Sequence, residues 1–161
     1  MSASVTAVRA ARESDLDAVL EIERASFSDP WSRESFESAL ELGRMLFVIA
    51  EGAPEATGPD TEPGRQELLG YVIVLLLFDE AEVADLAVAP AARGRGIGGL
   101  LLDAVTAEVR VVGVRSLYLE VRESNVWARA LYDSRSFAHV GRRRGYYASP
   151  REDALLMRRD L

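Results

Sequence analysis

Apolar positions along the chain switch between two periods. Val5–Arg9 alternates, as a strand with one buried face does. Leu16, Val19 and Leu20 then take helical spacing. Ser14 stands ahead of them as an N-cap, and Asp15 and Asp17 lie in the first turn, where carboxylates suit the helix dipole. This predicts a helix to about Ala25. Ser28-Asp29-Pro30 interrupts it, and Ser32 caps a second predicted helix to about Leu42, with Trp31 and Phe36 near its start. Met45–Glu51 reads as a strand. Glu67–Phe78 and Glu82–Val88 read as two more, around a turn at Asp79-Glu80. Ile97, Leu100, Leu101 and Ala104 follow the i, i+3, i+4, i+7 rule and predict a helix to about Val111, with Gly113 at its C-terminal boundary. Ser116–Arg122 alternates again: Leu117, Leu119 and Val121 face one way, Tyr118, Glu120 and Arg122 the other. Val126–Asp133 is a short predicted helix in which Ala128, Leu131 and Tyr132 share a face. Phe137–Arg142 and Asp153–Arg158 are the closing strands.

The resulting order, β-α-α-β-β-β-α-β-α-β-β, predicts a mixed α/β fold. Gly52–Gln66 holds three of the six prolines (Pro54, Pro59, Pro63) and three glycines (Gly52, Gly58, Gly64). Both of its flanks are strand-like, so it is expected to be an exposed hairpin loop and not a domain linker. A length of 161 residues fits one domain with a core of its own. The chain has no apolar run of membrane-spanning length; the longest candidate, Leu68–Phe78, is strand-sized and broken by Gly70. Met1–Arg12 lacks the apolar region of a signal peptide. The expectation is a cytoplasmic protein with no membrane partner.

Composition narrows the chemistry. There is no cysteine, which excludes disulfides, thiolate metal sites and a cysteine nucleophile. His139 is the only histidine, so a multi-histidine zinc site is impossible and no metal is expected. Any general base is then expected to be a carboxylate. All 19 basic residues are arginine, and the net charge is −7. That balance argues against a nucleic-acid partner; the triplet Arg142-Arg143-Arg144 reads as a charged strand end. An acidic surface suits a cationic amine or basic peptide as substrate.

The most specific local pattern is Arg93-Gly94-Arg95-Gly96-Ile97-Gly98, between a strand and a helix. Glycines let the backbone approach a phosphate, the helix N-terminus offers unpaired N–H groups, and the arginines add charge. Leu101 stands where the dinucleotide-binding G-x-G-x-x-G pattern needs its third glycine, and a chain without lysine cannot carry G-x-x-x-x-G-K-[ST]. Arg93, Gly96 and Gly98 instead match R-x-x-G-x-G, which resembles motif A of the GNAT superfamily. The resemblance implies a GNAT fold, with a mixed, mostly antiparallel central sheet of about seven strands flanked by about four helices. It also implies acetyl-CoA as acetyl donor, its pyrophosphate held by Arg93–Gly98. The strand Asp85-Leu86-Ala87-Val88 would lie along the pantetheine arm, with Leu86, Ala87 and Val88 in contact and the N–H of Val88 polarising the thioester carbonyl.

Leu119-Glu120-Val121-Arg122-Glu123-Ser124-Asn125, then Ala128 and Leu131-Tyr132, is similar to the L-E-V-R-x-S-N-x-x-A-x-x-L-Y segment of RimI-type N-acetyltransferases, which act on the N-terminal alanine of a ribosomal protein. The family implies Glu120 as general base, Tyr132 as general acid, and Asn125 as a coenzyme contact; Asn125 is equally well read as a helix N-cap. Elementary chemistry asks for the same pair. An amine must lose a proton to attack a thioester and the departing thiolate must gain one, so two groups of different pKa suit the two roles. Partial burial would raise a glutamate toward a useful base, and a tyrosine of pKa about 10 can protonate a thiolate. Against this stands a simpler reading, in which Glu120 is an exposed carboxylate paired with an arginine.

Further segments bear on the acceptor. Ile22-Glu23, Phe27, Pro30-Trp31-Ser32 and Phe36 resemble the I-E-x-x-x-F-x-x-P-W-S signature of the RimI-like enzymes. Arg143-Arg144-Gly145-Tyr146-Tyr147 resembles their R-R-x-Y-Y, and Arg151-Glu152-Asp153-Ala154 to Met157 their ending. By that resemblance Phe27, Tyr146 and Tyr147 border the acceptor peptide, and Pro30 and Trp31 are structural. The expected acceptor is a protein N-terminus, here an N-terminal alanine of a ribosomal protein; the alternatives are a small-molecule amine, lysine, or coenzyme binding without turnover. Two departures stand out. Ser136 replaces a usual glycine, which predicts strain if the position needs positive φ, and Gly94 replaces a common arginine or glutamine.

Overall fold

The computed structural model describes residues 5–53, 59 and 64–161. Among the described residues, seven strands form one sheet: β1 (Val5–Ala10), β2 (Met45–Gly52), β3 (Glu67–Leu77), β4 (Glu80–Val88), β5 (Ser116–Arg122), β6 (Ala138–Ala148) and β7 (Arg151–Asp160). Their spatial order is β1-β2-β3-β4-β5-β7-β6. All neighbours run antiparallel except β4 and β5. Four α-helices accompany the sheet: α1 (Leu16–Ser26), α2 (Arg33–Glu41), α3 (Ile97–Val111) and α4 (Val126–Ser134). The mixed, mostly antiparallel α/β architecture expected from the sequence is the one observed.

Strand alternation sends side chains into two apolar layers, one on each side of the sheet. Val48, Val72, Val74, Leu86, Val88, Leu117, Leu119 and Val121 pack with Leu101, Leu102, Val105 and Val109 of α3 and Tyr132 of α4. Phe47, Ile49, Tyr71, Ile73 and Ala87 pack with Leu16, Val19, Leu20 and Ile22 of α1 and Phe36 of α2. The α1 face matches its predicted stripe. On α3, Ile97 and Leu101 are buried as predicted, but Leu100 is exposed, Ala104 is half-buried, and Leu102, Val105 and Val109 take the core positions. Ser32 caps α2 by accepting from the Ser35 N–H at 3.2 Å, and Trp31 sits 5.4 Å from Phe36, ring to ring.

Four local expectations need correction. Ser14 is not a cap: Glu13–Asp15 forms a 3-10 turn and α1 begins at Leu16. Asp15 governs that entry, because its carboxylate accepts from the Arg12 N–H and pairs with Arg9 of β1 at 2.8 Å. The β3–β4 turn is centred on Phe78 and Asp79, with Phe78 in the left-handed region at φ 58°, so β4 starts at Glu80. β6 runs to Ala148, well past Arg142, and carries the Tyr146-Tyr147 pair beyond a register shift between Arg143 and Tyr147; Gly145 supplies φ 58° there. β7 is longer too, from Arg151 to Asp160. Gly52 pairs with Glu67, so the Gly52–Gln66 connection closes a β2–β3 hairpin; Pro54, Gly58 and Pro63 lie outside the described residues.

Candidate active site

The parallel pair in the middle of the sheet opens a cleft. β4 and β5 pair only from Glu80↔Ser116 to Val83↔Leu119. Beyond that rung β5 stays with β7 through Arg122↔Ala154, and β4 stays with β3 through Gly70↔Val88. The Ala89 N–H donates to the Leu69 carbonyl at 2.8 Å. Donors alternate along a strand, so the N–H of Val88 faces away from β3, toward the opening. Gly70 keeps β3 and β4 close at this level, since a Cβ there would lie 2.8 Å from the Ala87 carbonyl oxygen.

The glycine loop closes one end of the cleft. Gly94 and Gly96 have φ of 78° and 79°, a left-handed backbone that L side chains rarely adopt. Gly96 is the N-cap of α3, whose first N–H groups, from Ile97 onward, lack intrahelical acceptors. A cavity of about 270 Å³ lies against them, lined by Val88, Gly94, Gly96, Gly98, Trp127 and Leu131 among others. Gly98 brings α3 against α4, because a Cβ there would meet Leu131 at 3.1 Å and Trp127 at 3.3 Å. Bare backbone, free N–H groups and a helix N-terminus fit a pyrophosphate. Arg93 is committed elsewhere: it donates from Nε to the Val88 carbonyl at 3.1 Å and from a terminal nitrogen to Ser26 Oγ at 3.0 Å, tying loop, β4 and α1 together.

Glu120 stands on the other wall, on the side of β5 opposite Leu119 and Val121. Its side chain is 14% exposed and its Oε1 is 2.8 Å from Arg143 Nε. The arginine-paired reading is therefore realised, in a largely buried setting. The Tyr146 hydroxyl hydrogen-bonds Glu120, which together with burial and nearby charge holds that phenol above its ordinary pKa. Tyr147 is pushed up to about 12 by burial first, then by Glu120 and Tyr146. The Arg122 guanidinium lies 4.2 Å over the Tyr147 ring. The structure brings Glu120 together with Tyr146 and Tyr147, to which the sequence had assigned separate roles. Sequence reasoning missed Arg143 as the partner of Glu120, and Glu82, whose carboxyl is raised by burial and then by Glu120, against Arg143.

Tyr132 reaches the site from α4. It is buried, and burial raises its phenol pKa, with Asp85 and then Tyr147 adding to the effect. The end of α4 fixes its position. The Phe137 N–H donates to the Tyr132 carbonyl at 3.1 Å and the Ser136 N–H to the Asp133 carbonyl at 3.2 Å. This is a Schellman closure with Ser136 in the left-handed position at φ 66°, and the two ends are joined by the Tyr132–Phe137 ring contact at 5.7 Å. The strain expected at Ser136 is present. Asn125 fulfils its N-cap reading, its Oδ1 accepting from the Ala128 N–H at 3.1 Å.

On the α1 side, Phe27 is half-buried and follows directly on α1, packed against the α1–α2 layer. The loop after it is latched to the β6–β7 turn: Ser28 Oγ donates to the Ser149 carbonyl, and Arg122 donates to the Ser149 and Pro150 carbonyls at 3.2 and 2.9 Å. Beneath lies a buried polar group that drew no role from sequence. Glu23 accepts from the Tyr71 hydroxyl and, at 3.0 Å, from the Trp31 N–H. Asp85 hydrogen-bonds Glu23, and its carboxyl is held far above the usual range by burial first and Glu23 second; its Oδ2 has no partner. A signal was available. Glu23 occupies the i+7 position of the Leu16, Val19, Leu20 stripe, where a carboxylate must have buried partners.

The acetyltransferase (GNAT) family model matches residues 16–137. The ribosomal protein bS18-alanine N-acetyltransferase of Haemophilus ducreyi is 34% identical over 148 residues, covering 90% of this chain and 93% of that one. The enzyme of the same name from Escherichia coli is 34% identical over 145 residues, 89% of each chain. The chain belongs to the GNAT acetyltransferase family. A crystal structure of the ribosomal-protein-S18-alanine N-acetyltransferase from Escherichia coli superposes with a TM-score of 0.80 at 32% identity, over 96% of this chain and 92% of that one. The protein is thus an acyltransferase, and its acetyl donor is acetyl-CoA, which the bare glycine loop and the cleft fit. Among the described residues no cluster of His, Cys, Asp and Glu suits a metal ion, and no helix is long and apolar enough to cross a membrane.

Proposed function

We propose that this chain, working as a single cytoplasmic domain, moves the acetyl group of acetyl-CoA to the α-amine of a protein N-terminus, and that the acceptor is an N-terminal alanine of a ribosomal protein. The observation that carries the reading is the pairing of a glycine-loop cleft with relatives named for that reaction along about nine-tenths of the chain. Acetyl-CoA supplies an electrophilic thioester carbonyl and a thiolate leaving group. The backbone of Leu86, Ala87 and Val88 flanks that thioester, and the Val88 N–H donates to its carbonyl oxygen. Arg93, Gly94, Arg95, Gly96, Ile97 and Gly98 form the pyrophosphate loop, with the free N–H groups of α3 as donors and Arg93 holding the loop in place. Asn125 orders the start of α4 beside it.

Glu120 takes a proton from the α-ammonium. An α-amine has a pKa of roughly 8, against about 10.4 for lysine, so near neutral pH a single carboxylate removes what proton remains. The amine nitrogen then attacks directly, since a chain without cysteine offers no thiol to carry the acetyl group. Tyr132 gives its phenolic proton to the departing sulfur; with its pKa raised, it stays protonated until that moment. Phe27, Tyr146 and Tyr147 border the acceptor peptide between the latched α1–α2 and β6–β7 turns. Thiol release with an alanine-starting peptide tests the assignment. Glu120→Gln and Tyr132→Phe are each expected to lower kcat by about 10²-fold, the scale of a positioned acid or base. Full turnover in both would overturn it.

A further inference from the structure

Trp127 has no task in the scheme above. It stands at one of the two positions that the S-N-x-x-A segment leaves open, and it is part of neither apolar layer. It is 42% exposed. A tryptophan left at the surface forgoes much of the burial that its large ring system offers, so the fold alone gives no reason for it. Its place is nevertheless well defined. Trp127 shares a face of α4 with Ala130, Leu131 and Ser134, at i, i+3, i+4 and i+7. That face meets the first turn of α3. The six-membered edge of the indole reaches Gly98, where a Cβ would lie 3.3 Å from Cη2 and 3.5 Å from Cζ2. Trp127, Ala130 and Leu131 thus line the cavity from α4, while the glycine loop lines it from α3.

The cavity has an inner and an outer end. Val88 is buried and marks the inner end, on the thioester side. Trp127 and Ala130 are exposed and mark the outer one. The free N–H groups of α3 lie between them. A volume of about 270 Å³ falls below the roughly 300–1,000 Å³ of pockets that enclose a drug-sized ligand. The coenzyme is therefore not enclosed whole, and the part beyond its pyrophosphate lies along the outer rim. In acetyl-CoA that part is 3′-phosphoadenosine. Adenine is the one aromatic group of the coenzyme, and Trp127 is the one aromatic side chain among the described residues of the lining. We propose that Trp127 is the adenine-binding residue: the base stacks on the indole, so the coenzyme is held by backbone N–H groups inside and by an aromatic face outside. Every base offers a π-face to such a stack, and the contact needs no charge. The role rests on acetyl-CoA as donor and is independent of which amine is acetylated.

Binding measurements without any acceptor test this. The chain has two tryptophans. Trp31 packs beside Phe36 in the α1–α2 layer, on the other side of the sheet, so Trp127 alone should report the coenzyme. Tryptophan emission of the wild-type protein should change on titration with CoA and with adenosine 3′,5′-bisphosphate, and stay constant with 4′-phosphopantetheine. Trp127→Phe should abolish the response while keeping most of the affinity. Trp127→Ala should raise the Kd of acetyl-CoA about tenfold, the scale of one base–aromatic stack, as read by calorimetry. It should leave the Kd of acetyl-phosphopantetheine, which has no adenine, unchanged. Equal losses on the two donors would overturn the proposal, because Trp127 would then support the loop or the pantetheine arm. Wild-type emission unmoved by the bisphosphate would overturn it as well, and that measurement needs no variant to fold. Since no acceptor is present, failure of the N-terminal acetylation reading would leave these results to stand or fall separately.

Discussion

Replacing Ser136 by glycine should stabilise the protein. Ser136 closes α4 in the left-handed region at φ 66°, and its side chain is exposed. A non-glycine residue there costs roughly 1–2 kcal/mol. Glycine removes that cost but gives the unfolded chain more freedom, worth about 0.5–1 kcal/mol. The balance favours the variant by about 0.5–1 kcal/mol. For a domain of this size that is a rise in Tm of about 1–4 °C. The two backbone hydrogen bonds of the closure and the Tyr132–Phe137 contact need no change, so kcat should stay near wild type. Ser136→Val, with a β-branched side chain at the same φ, should lower Tm instead. Thermal unfolding of the three proteins in one buffer is the assay. A lower Tm for Ser136→Gly would refute the strain argument, and a large loss of kcat would show that the serine does more than close the helix.

Other consequences follow from the same geometry. Gly96→Ala meets no atom within 4 Å but must hold φ 79°, so it should lower Tm by a few degrees and weaken acetyl-CoA binding about tenfold, read by calorimetry; undiminished binding would contradict the loop's role. Asp85 is pushed up to about 9 in the folded protein from an ordinary value of 3.8. Between those values the folded state holds a proton that the unfolded chain lacks, so this group's contribution to stability falls as pH rises through that window. Asp85→Asn should remove the decline, and the difference in unfolding free energy between variant and wild type should grow in the variant's favour toward pH 9; parallel pH profiles would show that Asp85 is not the titrating group.

Much of this was legible because it depends on local order. The alternation of Leu117, Leu119 and Val121 placed Glu120 on the opposite face, and the glycine pattern placed a turn before α3. The missing parts depend on contacts between distant segments. Asp15 displaced Ser14 as the organiser of α1 because Arg9 on β1 holds it, a pairing set by tertiary structure. β6 is exposed at most positions, so it carries no period-two apolar signal, and only pairing with β7 extends it to Ala148. Arg143 and Glu82 come to Glu120 through sheet register, one across β7 and one across the parallel pair. The Ser136 strain was foreseeable as a glycine position filled by serine, while its partners Tyr132 and Phe137 needed the folded turn.

The central claim is that the acceptor is a free protein N-terminus. Thiol release from acetyl-CoA should be followed with three acceptors in parallel: a peptide beginning with free alanine, the same peptide blocked at its N-terminus but carrying a lysine, and spermidine. The account predicts turnover with the free alanine peptide alone, with the acetyl group found on its α-amine by mass spectrometry. Turnover confined to the lysine peptide or spermidine would contradict it.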